Sequence, residues 1–287
     1  MGQLVYINGK IVARDRAVVP ALDRGLLYSY GLFETMRSYS GRVFCLDRHL
    51  ARLMRSAKTL GIADGLDVVG LEAGIADTLK ANRLTDARIR LTVTAGEGER
   101  MMGMPAAGKL TTIIVAEELA QPSRDVQAKG LRASIVSIRR NSKSPLCRMK
   151  TLGYMENMLA REEAVKAGSD EAVLLNEERL VAECSASNIF IVEGVKLVTP
   201  PIGAGILEGV TRGVVIELAH GFDISAAEEN VTVDRLLGAD EAFITNSIIE
   251  LAPVSSIDGK LVGAGRSGAI TANLANAYRN LALSGVR

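Results

Sequence analysis

A polar segment near the middle of the chain, residues 119–125, separates two stretches that are each rich in strand and helix signals. The segment contains Pro122 and charged side chains, which is typical of a linker between structured elements. The 287 residues are enough for one large domain or two modest ones. We therefore predict an α+β fold with a smaller N-terminal domain over residues 1–118, a linker over 119–128 and a larger C-terminal domain over 129–287.

The composition indicates a globular protein that acts on small molecules. Hydrophobic residues make up 48% of the chain, which is ample for a core. The 34 basic and 33 acidic residues give a formal net charge of +1, and no run of like charges favours a nucleic acid or an anionic membrane as partner. No apolar stretch approaches the ~18 residues of a membrane helix, and the N-terminus lacks the layout of a signal peptide. With three separated cysteines and two histidines, we expect a cytoplasmic protein without disulfides or a histidine-rich metal centre.

The N-terminal part is predicted to combine strands with helices. Asn8-Gly9 lies between two short apolar runs, which is the strongest short signal for a β-hairpin. Strands over 32–39 and 43–46 precede a helix that Asp47 can cap. The apolar stripe of this helix leaves Arg52 near its edge, on the polar side. The further elements predicted here are a helix over 71–79 and strands over 89–94 and 111–115.

A helix in the second part is predicted to begin at Tyr154 and to end before Gly168, since a glycine often follows a helix end. Apolar residues at helical spacing indicate its buried face, namely Met155, Met158, Leu159 and Val165. Lys150 lies just before this helix, where the positive end of the dipole lowers the pKa of an ammonium group. A neutral amine is what Schiff-base chemistry requires. Because most lysines are solvated surface charges, this position alone does not establish a role.

A second helix start is predicted to bind an anion. Residues 209–219 place Val210 and Thr211 at a helix N-terminus, where backbone N–H groups and the dipole favour a phosphate. Ser247 can add a hydroxyl donor. Residues 203–209 superficially resemble a dinucleotide fingerprint, but the glycine spacing is one residue too long. The remaining elements predicted in this part are strands over 131–138, 172–175, 188–192, 196–198 and 242–245 and a helix over 268–282.

Short motifs occur in a fixed order along nearly the whole chain, namely Asp23-Arg-Gly25, Gly31-Leu-Phe-Glu-Thr35, His49-Leu-Ala-Arg-Leu53, Lys150-Thr-Leu-Gly-Tyr154, Glu183-Cys-Ser-Ala-Ser-Asn-Ile-Phe190, Gly205-Ile-Leu-Glu-Gly-Val-Thr-Arg212 and Thr245-Asn-Ser247. In this order they resemble the fold-type IV pyridoxal-phosphate enzymes. That group contains branched-chain transaminases, D-amino-acid transaminases and 4-amino-4-deoxychorismate lyases. The resemblance implies an enzyme that binds pyridoxal 5′-phosphate in a cleft between its two domains, takes a small amino substrate and forms a homodimer.

The resemblance also assigns roles to individual residues. Lys150 would form the Schiff base with the cofactor and then move protons. Glu183 would pair with the ring nitrogen and keep it protonated, which makes the ring an electron sink. Tyr154 would donate a hydrogen bond to the ring hydroxyl oxygen. The other cofactor-binding residues would be Arg52, Val210, Thr211, Asn246 and Ser247, and the substrate-binding residues would be Thr35, Arg100 and Met102.

Within the family, aminodeoxychorismate lyase is the predicted activity, with 4-aminobenzoate and pyruvate as products. Three segments resemble lyase forms, namely residues 33–39, 137–141 and 245–254. The two carboxylates of that substrate need positive partners, and Arg100 and the pair Arg139-Arg140 are the candidates. Met102 stands where D-amino-acid transaminases carry a histidine and so argues against that branch. A D-amino-acid or branched-chain transaminase that uses 2-oxoglutarate is the alternative, and a non-catalytic protein that binds pyridoxal phosphate is a remote one.

Overall fold

The computed structural model of the chain describes residues 2–98, 109–119 and 129–285. Within these ranges, helices and strands are both abundant, so the predicted mixed α+β class is confirmed. None of the helices in the described ranges combines the length and the apolar composition that are needed to cross a membrane. All three cysteines are buried and free of disulfide bonds.

Contacts divide the described residues into two compact units. The N-terminal unit extends up to residue 119 and also includes Met149–Gly153, and the C-terminal unit contains the other described residues. The sequence predicted residues 129–287 to be a single domain, so the structure differs from that prediction at Met149–Gly153. This segment belongs with the N-terminal unit because Thr151 pairs with Leu32 in an antiparallel β-bridge.

The N-terminal unit contains six strands and three α-helices among its described residues. The strands are β1 (Leu4–Ile7), β2 (Lys10–Ala13), β3 (Gly31–Tyr39), β4 (Arg42–Val43), β5 (Ala87–Thr94) and β6 (Thr111–Glu118), and the helices are α1 (Arg24–Tyr28), α2 (Leu46–Thr59) and α3 (Val68–Asn82). The strands form one antiparallel sheet in the order β2-β1-β6-β5-β3-β4. The predicted hairpin is confirmed, since Asn8 and Gly9 join β1 to β2 with φ angles of 48° and 88°, as a type I′ turn requires.

The core of the N-terminal unit is formed by the sheet together with helices α2 and α3. Leu53 and Ala57 of α2 and Ile75 of α3 are buried in one cluster with Met36 and Leu91 of the sheet. The predicted apolar stripe of α2 therefore does face the core. Burial of this stripe holds α2 against β3, and that contact positions the site described below.

The start of α2 differs from the prediction. The predicted strand over 43–46 is only the two-residue β4, and the helix begins at Leu46, so Asp47 lies in its first turn and is not its cap. Cys45 precedes the helix with φ 52°, in the left-handed region. A strand cannot continue through that conformation, and no simple sequence rule predicts it for a buried cysteine.

The C-terminal unit is larger and is built on a mixed sheet. Its described strands are β7 (Leu131–Arg140), β8 (Glu171–Asn176), β9 (Val181–Cys184), β10 (Asn188–Glu193), β11 (Lys196–Thr199), β12 (Ala226–Glu228), β13 (Glu241–Asn246), β14 (Glu250–Ile257) and β15 (Lys260–Leu261), and its α-helices are α4 (Met155–Lys166), α5 (Val210–Gly221), α6 (Val233–Leu237) and α7 (Ala269–Ser284). The strand order is β12-β11-β10-β13-β14-β7-β8-β9, with β15 paired to β14. The pairs β11–β12, β14–β7 and β7–β8 are parallel.

Six strands of this sheet are buried along most of their length, namely β8, β9, β10, β11, β13 and β14. Every residue of β8 and of β9 is buried, which fits the continuous apolar runs of strands covered on both faces. Phe190 and Phe243 stack at 5.0 Å between ring centroids. Glu183 therefore stands on a strand with no exposed residue, where a charged side chain needs partners.

Helix α4 exposes the face that the sequence predicted to be buried. Met155, Met158 and Leu159 are all more than half exposed, and the face that packs against β7 and β8 carries Ala160 and Ala164. Small side chains allow a helix to lie close to a sheet, and hydrophobic periodicity does not detect such a face. The prediction of the buried face was therefore wrong, although the helix itself was predicted correctly.

Candidate active site

Lys150 is held in place by pairing with β3. Its carbonyl oxygen accepts the N–H of Phe33 at 2.9 Å. Its Nζ lies 4.6 Å from the centre of the Phe33 ring, and the guanidinium carbon of Arg90 lies 3.9 Å from the same centre. The sequence placed Lys150 just before a helix, but α4 begins only at Met155, and a helix dipole acts mainly within the first turn. The sheet, and not a helix end, therefore sets the position of the lysine.

Arg52 is buried and binds Glu34 through two nitrogens. Its Nε donates to Glu34 Oε1 at 2.9 Å and its Nη2 donates to Oε2 at 2.6 Å, which is the strong bidentate form of this ion pair. Nδ1 of His49 lies 2.8 Å from the same Oε2. The prediction that Arg52 lies on the polar side of α2 is wrong, because only 7% of its side chain is exposed. Glu34, on the neighbouring strand β3, supplies the opposite charge that makes this burial possible.

Within this cluster, Glu34 is charged and His49 is neutral at pH 7. Burial disfavours the charged carboxylate, but Arg52 and the hydrogen bond from His49 outweigh it and lower the pKa of Glu34 to about 2. Burial lowers the pKa of His49 by more than the contact with Glu34 raises it. His49 therefore acts as a neutral N–H donor to Glu34. One guanidinium and one carboxylate then balance each other in the interior of the unit.

Glu183 is buried on β9 and has three described donors. Nη2 of Arg140 donates to Oε1 at 2.6 Å, and the backbone N–H of Leu207 donates to Oε2 at 3.0 Å. The Nδ2 of Asn188 lies at the edge of hydrogen-bond distance from Oε2, at 3.5 Å. Of the Glu183 side chain, 7% is exposed. Glu183 is therefore a buried strand residue whose carboxylate has protein donors on both oxygens.

Arg139 and Arg140 do not act as a pair. They are neighbours on β7, and their side chains bind different groups. Arg140 contacts Glu183, and Nη1 of Arg139 donates to backbone carbonyl oxygens of its own strand, among them that of Ser137 at 3.0 Å. The sequence predicted both guanidinium groups to be partners for substrate carboxylates. In the structure, each already has acceptors within the C-terminal unit.

Tyr154 directs its hydroxyl group to the loop after β9. The hydroxyl donates to the carbonyl oxygen of Ser185 at 2.9 Å, and Nδ2 of Asn157 donates to the same oxygen at 2.7 Å. A phenol carries one proton, so Tyr154 can accept but not donate a further hydrogen bond while this contact holds. Donation to a ring hydroxyl oxygen, as predicted for Tyr154, thus requires that the contact with Ser185 be exchanged.

The start of α5 has the features of an anion site. The N-cap is Gly209, which has no side chain to accept from the first N–H groups of the helix, and those groups lack partners within the helix itself. Thr211 follows in the first turn and is buried. A side chain at position 209 would collide with the amide oxygen of Asn188, so only glycine fits here. The structure thus places Val210 and Thr211 at a helix N-terminus, as predicted.

Asn246 shapes the turn that contains Ser247. Its Nδ2 donates to the carbonyl oxygen of Ala186 at 3.1 Å and to Oγ of Ser187 at 3.0 Å. Its Oδ1 accepts two backbone N–H groups of the following turn, at 2.8 and 2.9 Å. The side chain of Asn246 therefore connects two loops of the C-terminal unit, and Ser247 is half-buried within the turn.

The structure describes one of the three predicted substrate residues. Thr35 is half-buried on β3 and lies opposite Arg90 of β5 in the strand register. Arg100 and Met102 lie outside the described residues. Arg90, whose guanidinium lies by the Phe33 ring, was not singled out from the sequence, because a lone arginine in a strand carries no motif.

Two residues with clear partners were missed from the sequence. The sequence predicted no role for Glu34, which is part of the motif 31–35. It predicted that Arg140 binds a substrate carboxylate, whereas Arg140 binds Glu183. A signal for Glu34 did exist: His49 and Arg52 are three residues apart and so share one face of a helix, which predicts a common acidic partner on the element beneath. The sequence contains no comparable signal for Arg140.

The described residues fit the groups of pyridoxal 5′-phosphate. Lys150 provides a primary amine for the aldehyde, and Glu183 provides a buried carboxylate for the ring nitrogen. The uncapped start of α5 and the guanidinium of Arg52 are suited to a phosphate. Lys150 and Arg52 belong to the N-terminal unit, and Glu183 and α5 belong to the C-terminal unit.

Comparisons with known proteins agree with this chemistry. The family described as Amino-transferase class IV matches residues 31–257. A protein of Methanocaldococcus jannaschii that carries the provisional name branched-chain-amino-acid aminotransferase is 40% identical, over 96% of each chain. The aminodeoxychorismate lyase of Bacillus subtilis is 34% identical over 96% of this chain and 94% of its own. The branched-chain amino acid aminotransferase of Escherichia coli has a solved structure that matches with a TM-score of 0.94 at 28% identity, over 100% of this chain and 97% of that one.

Proposed function

The chain belongs to the class IV amino-transferases, as its motifs predicted, and on this premise we propose that it is a pyridoxal-phosphate-dependent transaminase of branched-chain amino acids. The amino acceptor would be 2-oxoglutarate. The observation that carries the proposal is the similarity, over almost the whole of both chains, to a relative with that provisional name. The solved structure with the same activity in its name supports it. This choice replaces the lyase predicted from the sequence as the first candidate.

In the proposed mechanism, each of the site residues described above has a separate role toward the cofactor or the substrate. When bound, the cofactor supplies an aldehyde that reacts with amines and a ring that takes up electrons. Lys150 would hold the cofactor through Nζ, and its amine, when free, would move the proton of the substrate α-carbon. Glu183 would place a negative charge at the ring nitrogen. Arg52 and the N–H groups at the start of α5 would bind the phosphate, and the oxygen of Tyr154 would contact the ring hydroxyl.

The charges of the C-terminal unit favour a transaminase over a lyase. Aminodeoxychorismate has two carboxylates, and the sequence offered Arg100 and the pair Arg139-Arg140 as their partners. Arg140 instead binds Glu183, and Arg139 binds backbone oxygens. A branched-chain amino acid has a single carboxylate and an apolar side chain. It therefore needs one positive partner where the lyase substrate needs two.

Aminodeoxychorismate lyase is the second candidate. The relative from Bacillus subtilis has this activity in its name, and residues 33–39, 137–141 and 245–254 resemble lyase forms. A lyase would share the roles of Lys150 and Glu183 and would differ in the bond that breaks after proton removal. A D-amino-acid transaminase is a third candidate, and Met102 in place of a histidine argues against it.

One assay panel separates these candidates. The purified protein, supplied with pyridoxal phosphate, is given L-leucine or D-alanine with 2-oxoglutarate, or 4-amino-4-deoxychorismate alone. We expect glutamate to form from L-leucine. Release of 4-aminobenzoate without an added keto acid, together with no reaction of L-leucine, would assign the lyase instead. Absence of turnover with every donor would leave the protein as a non-catalytic binder of the cofactor and contradict the proposal.

We also propose that the protein is a homodimer. The N-terminal unit exposes a run of apolar side chains before and within α1, and such patches mark interaction surfaces. Its most exposed members are Val18, Leu22 and Leu26. Light scattering is expected to give twice the mass of the chain, and Leu26→Glu is expected to shift the protein towards the monomer. A wild-type monomer at micromolar concentration would refute the dimer.

A further inference from the structure

The contact between Arg140 and Glu183 uses only one carboxylate oxygen. Nη2 of Arg140 binds Oε1, and Oε2 accepts the backbone N–H of Leu207. Nε of Arg140 is buried and has no hydrogen-bond partner among the described residues. Glu183 is also the one hydrogen-bond partner of the Arg140 side chain within those residues. Within the described part of the chain, the guanidinium is thus held by this carboxylate, and it contacts one of the two carboxylate oxygens.

A carboxylate in this position needs a cation to stay charged. Burial without a partner disfavours the charged form of a carboxyl group, which then takes up a proton. Glu183 stands on a strand that is buried throughout, and Arg140 forms an ion pair with it at 2.6 Å. An arginine stays protonated at any pH at which a protein is folded. The positive charge of Arg140 therefore stabilises the negative charge of Glu183 at a position where little water is available to do so.

We propose that Arg140 is a positioning residue for Glu183, which it keeps charged and aimed at the ring nitrogen of the cofactor. The inference rests on the proposed function, because it assumes that Glu183 meets that nitrogen. A carboxylate accepts up to about four hydrogen bonds, so Arg140, Leu207 and a ring N–H can share it. In this role Arg140 acts through Glu183 and does not touch the substrate.

The first test uses the full chain without cofactor and measures unfolding in urea. Arg140→Met leaves a buried carboxylate without its cation, so the urea midpoint is expected to fall. Adding Glu183→Gln to that variant removes the uncompensated charge and is expected to restore about half or more of the loss. If the losses of the two single variants simply add in the double variant, the two side chains do not act as a pair and the inference is wrong.

The second test uses the enzyme with pyridoxal phosphate bound. Arg140→Met is expected to lower kcat by about tenfold or more while KM changes by less than about threefold, because a group that acts on the chemical step affects kcat. The absorption spectrum of the bound cofactor is expected to change as it does in Glu183→Gln. The double variant is expected to be no slower than Glu183→Gln alone. Arg140→Lys keeps the charge and is expected to recover part of kcat.

A matched control is available on the same strand. Arg132 also pairs with a carboxylate, that of Asp170, but the pair is exposed. Arg132→Met is expected to leave kcat and the cofactor spectrum unchanged. A rise in KM with unchanged kcat in Arg140→Met would show that Arg140 binds substrate, and would overturn the inference. An inactive wild-type protein would overturn the proposed function as well, whereas an active wild-type with independent effects of Arg140 and Glu183 overturns the inference alone.

Discussion

The pairs Arg52–Glu34 and Arg140–Glu183, one in each unit, each hold a buried carboxylate against an arginine, and they differ in geometry. In the N-terminal unit, Arg52 binds both oxygens of Glu34, and His49 adds a third donor. In the C-terminal unit, Arg140 binds one oxygen of Glu183, and backbone and amide groups approach the other. The first carboxylate is 1% exposed and the second 7%.

This difference indicates which member of each pair is the functional one. A carboxylate held on both oxygens by an arginine and a histidine is suited to orienting that arginine, and we propose that Glu34 presents Arg52 to the phosphate. A carboxylate held at one end is suited to meeting a further group, and we propose that Arg140 presents Glu183 to the cofactor ring. The same two residue types thus exchange roles between the two units.

The largest expected effect follows from removing the charge of Glu34. Glu34→Gln leaves Arg52 buried without its counter-charge, so the free energy of unfolding is expected to fall by about 3–5 kcal/mol. Urea unfolding of the protein without cofactor measures it. A loss below about 1 kcal/mol would mean that Arg52 reaches solvent once it is released. The proposal that Glu34 holds Arg52 in a buried position would then be wrong.

The pH dependence of the same pair has a definite sign. The pKa of Glu34 in the folded protein is about 2, below the ordinary value of about 4.3 in an unfolded chain. The stabilisation by the charged form is therefore present above about pH 4.3 and is lost as the pH falls towards 2, by up to about 3 kcal/mol. The difference in unfolding free energy between wild type and Glu34→Gln is expected to shrink across this window. A constant difference would contradict a charged Glu34.

Arg52→Ala and Glu183→Gln are expected to have different consequences. Arg52→Ala should weaken cofactor binding by about 1.5–3 kcal/mol, the usual contribution of a charge-assisted hydrogen bond. Glu183→Gln should keep the cofactor bound and slow proton removal. Titration of cofactor-free protein with pyridoxal phosphate measures the first effect, and single-turnover kinetics measure the second. If both variants gave the same phenotype, the roles assigned to the two pairs would not be distinct.

The smallest effect is expected for an exposed pair. Glu162 and Lys166 lie one turn apart on α4 at 3.3 Å, and both side chains are exposed. Such a pair contributes about 0.3–0.5 kcal/mol, so Lys166→Ala should change the free energy of unfolding by no more than that. A loss near that of Glu34→Gln would show that burial does not separate strong pairs from weak ones in this protein.

Local sequence signals predicted much of the fold because their causes are local. The Asn8-Gly9 turn adopts the positive φ angles that its residue types favour. Gly168, with φ 79°, ends α4 as expected of a glycine after a helix. The C-terminal helix, predicted over 268–282, is observed as Ala269–Ser284.

The failures concern features that depend on distant residues. Periodicity placed the methionines of α4 inside, but close packing on β7 and β8 selects the alanine face. Arg52 was assigned to a polar face because its counter-charge, Glu34, comes from another element. Arg140 was assigned to the substrate, since the sequence alone does not show that β7 and β9 flank β8. The motifs predicted which residues belong to the candidate site. The hydrogen-bond partners of those residues could be identified only from the structure.

All of the proposed chemistry depends on Lys150 as the residue that binds the cofactor. Reduction of the protein with borohydride in the presence of pyridoxal phosphate, followed by mapping of the modified peptide, identifies that residue. We predict a yellow protein before reduction and a single label on Lys150 after it, and Lys150→Ala should lose the label and the turnover while it remains folded. A label on Lys143, or on no lysine, would contradict the account.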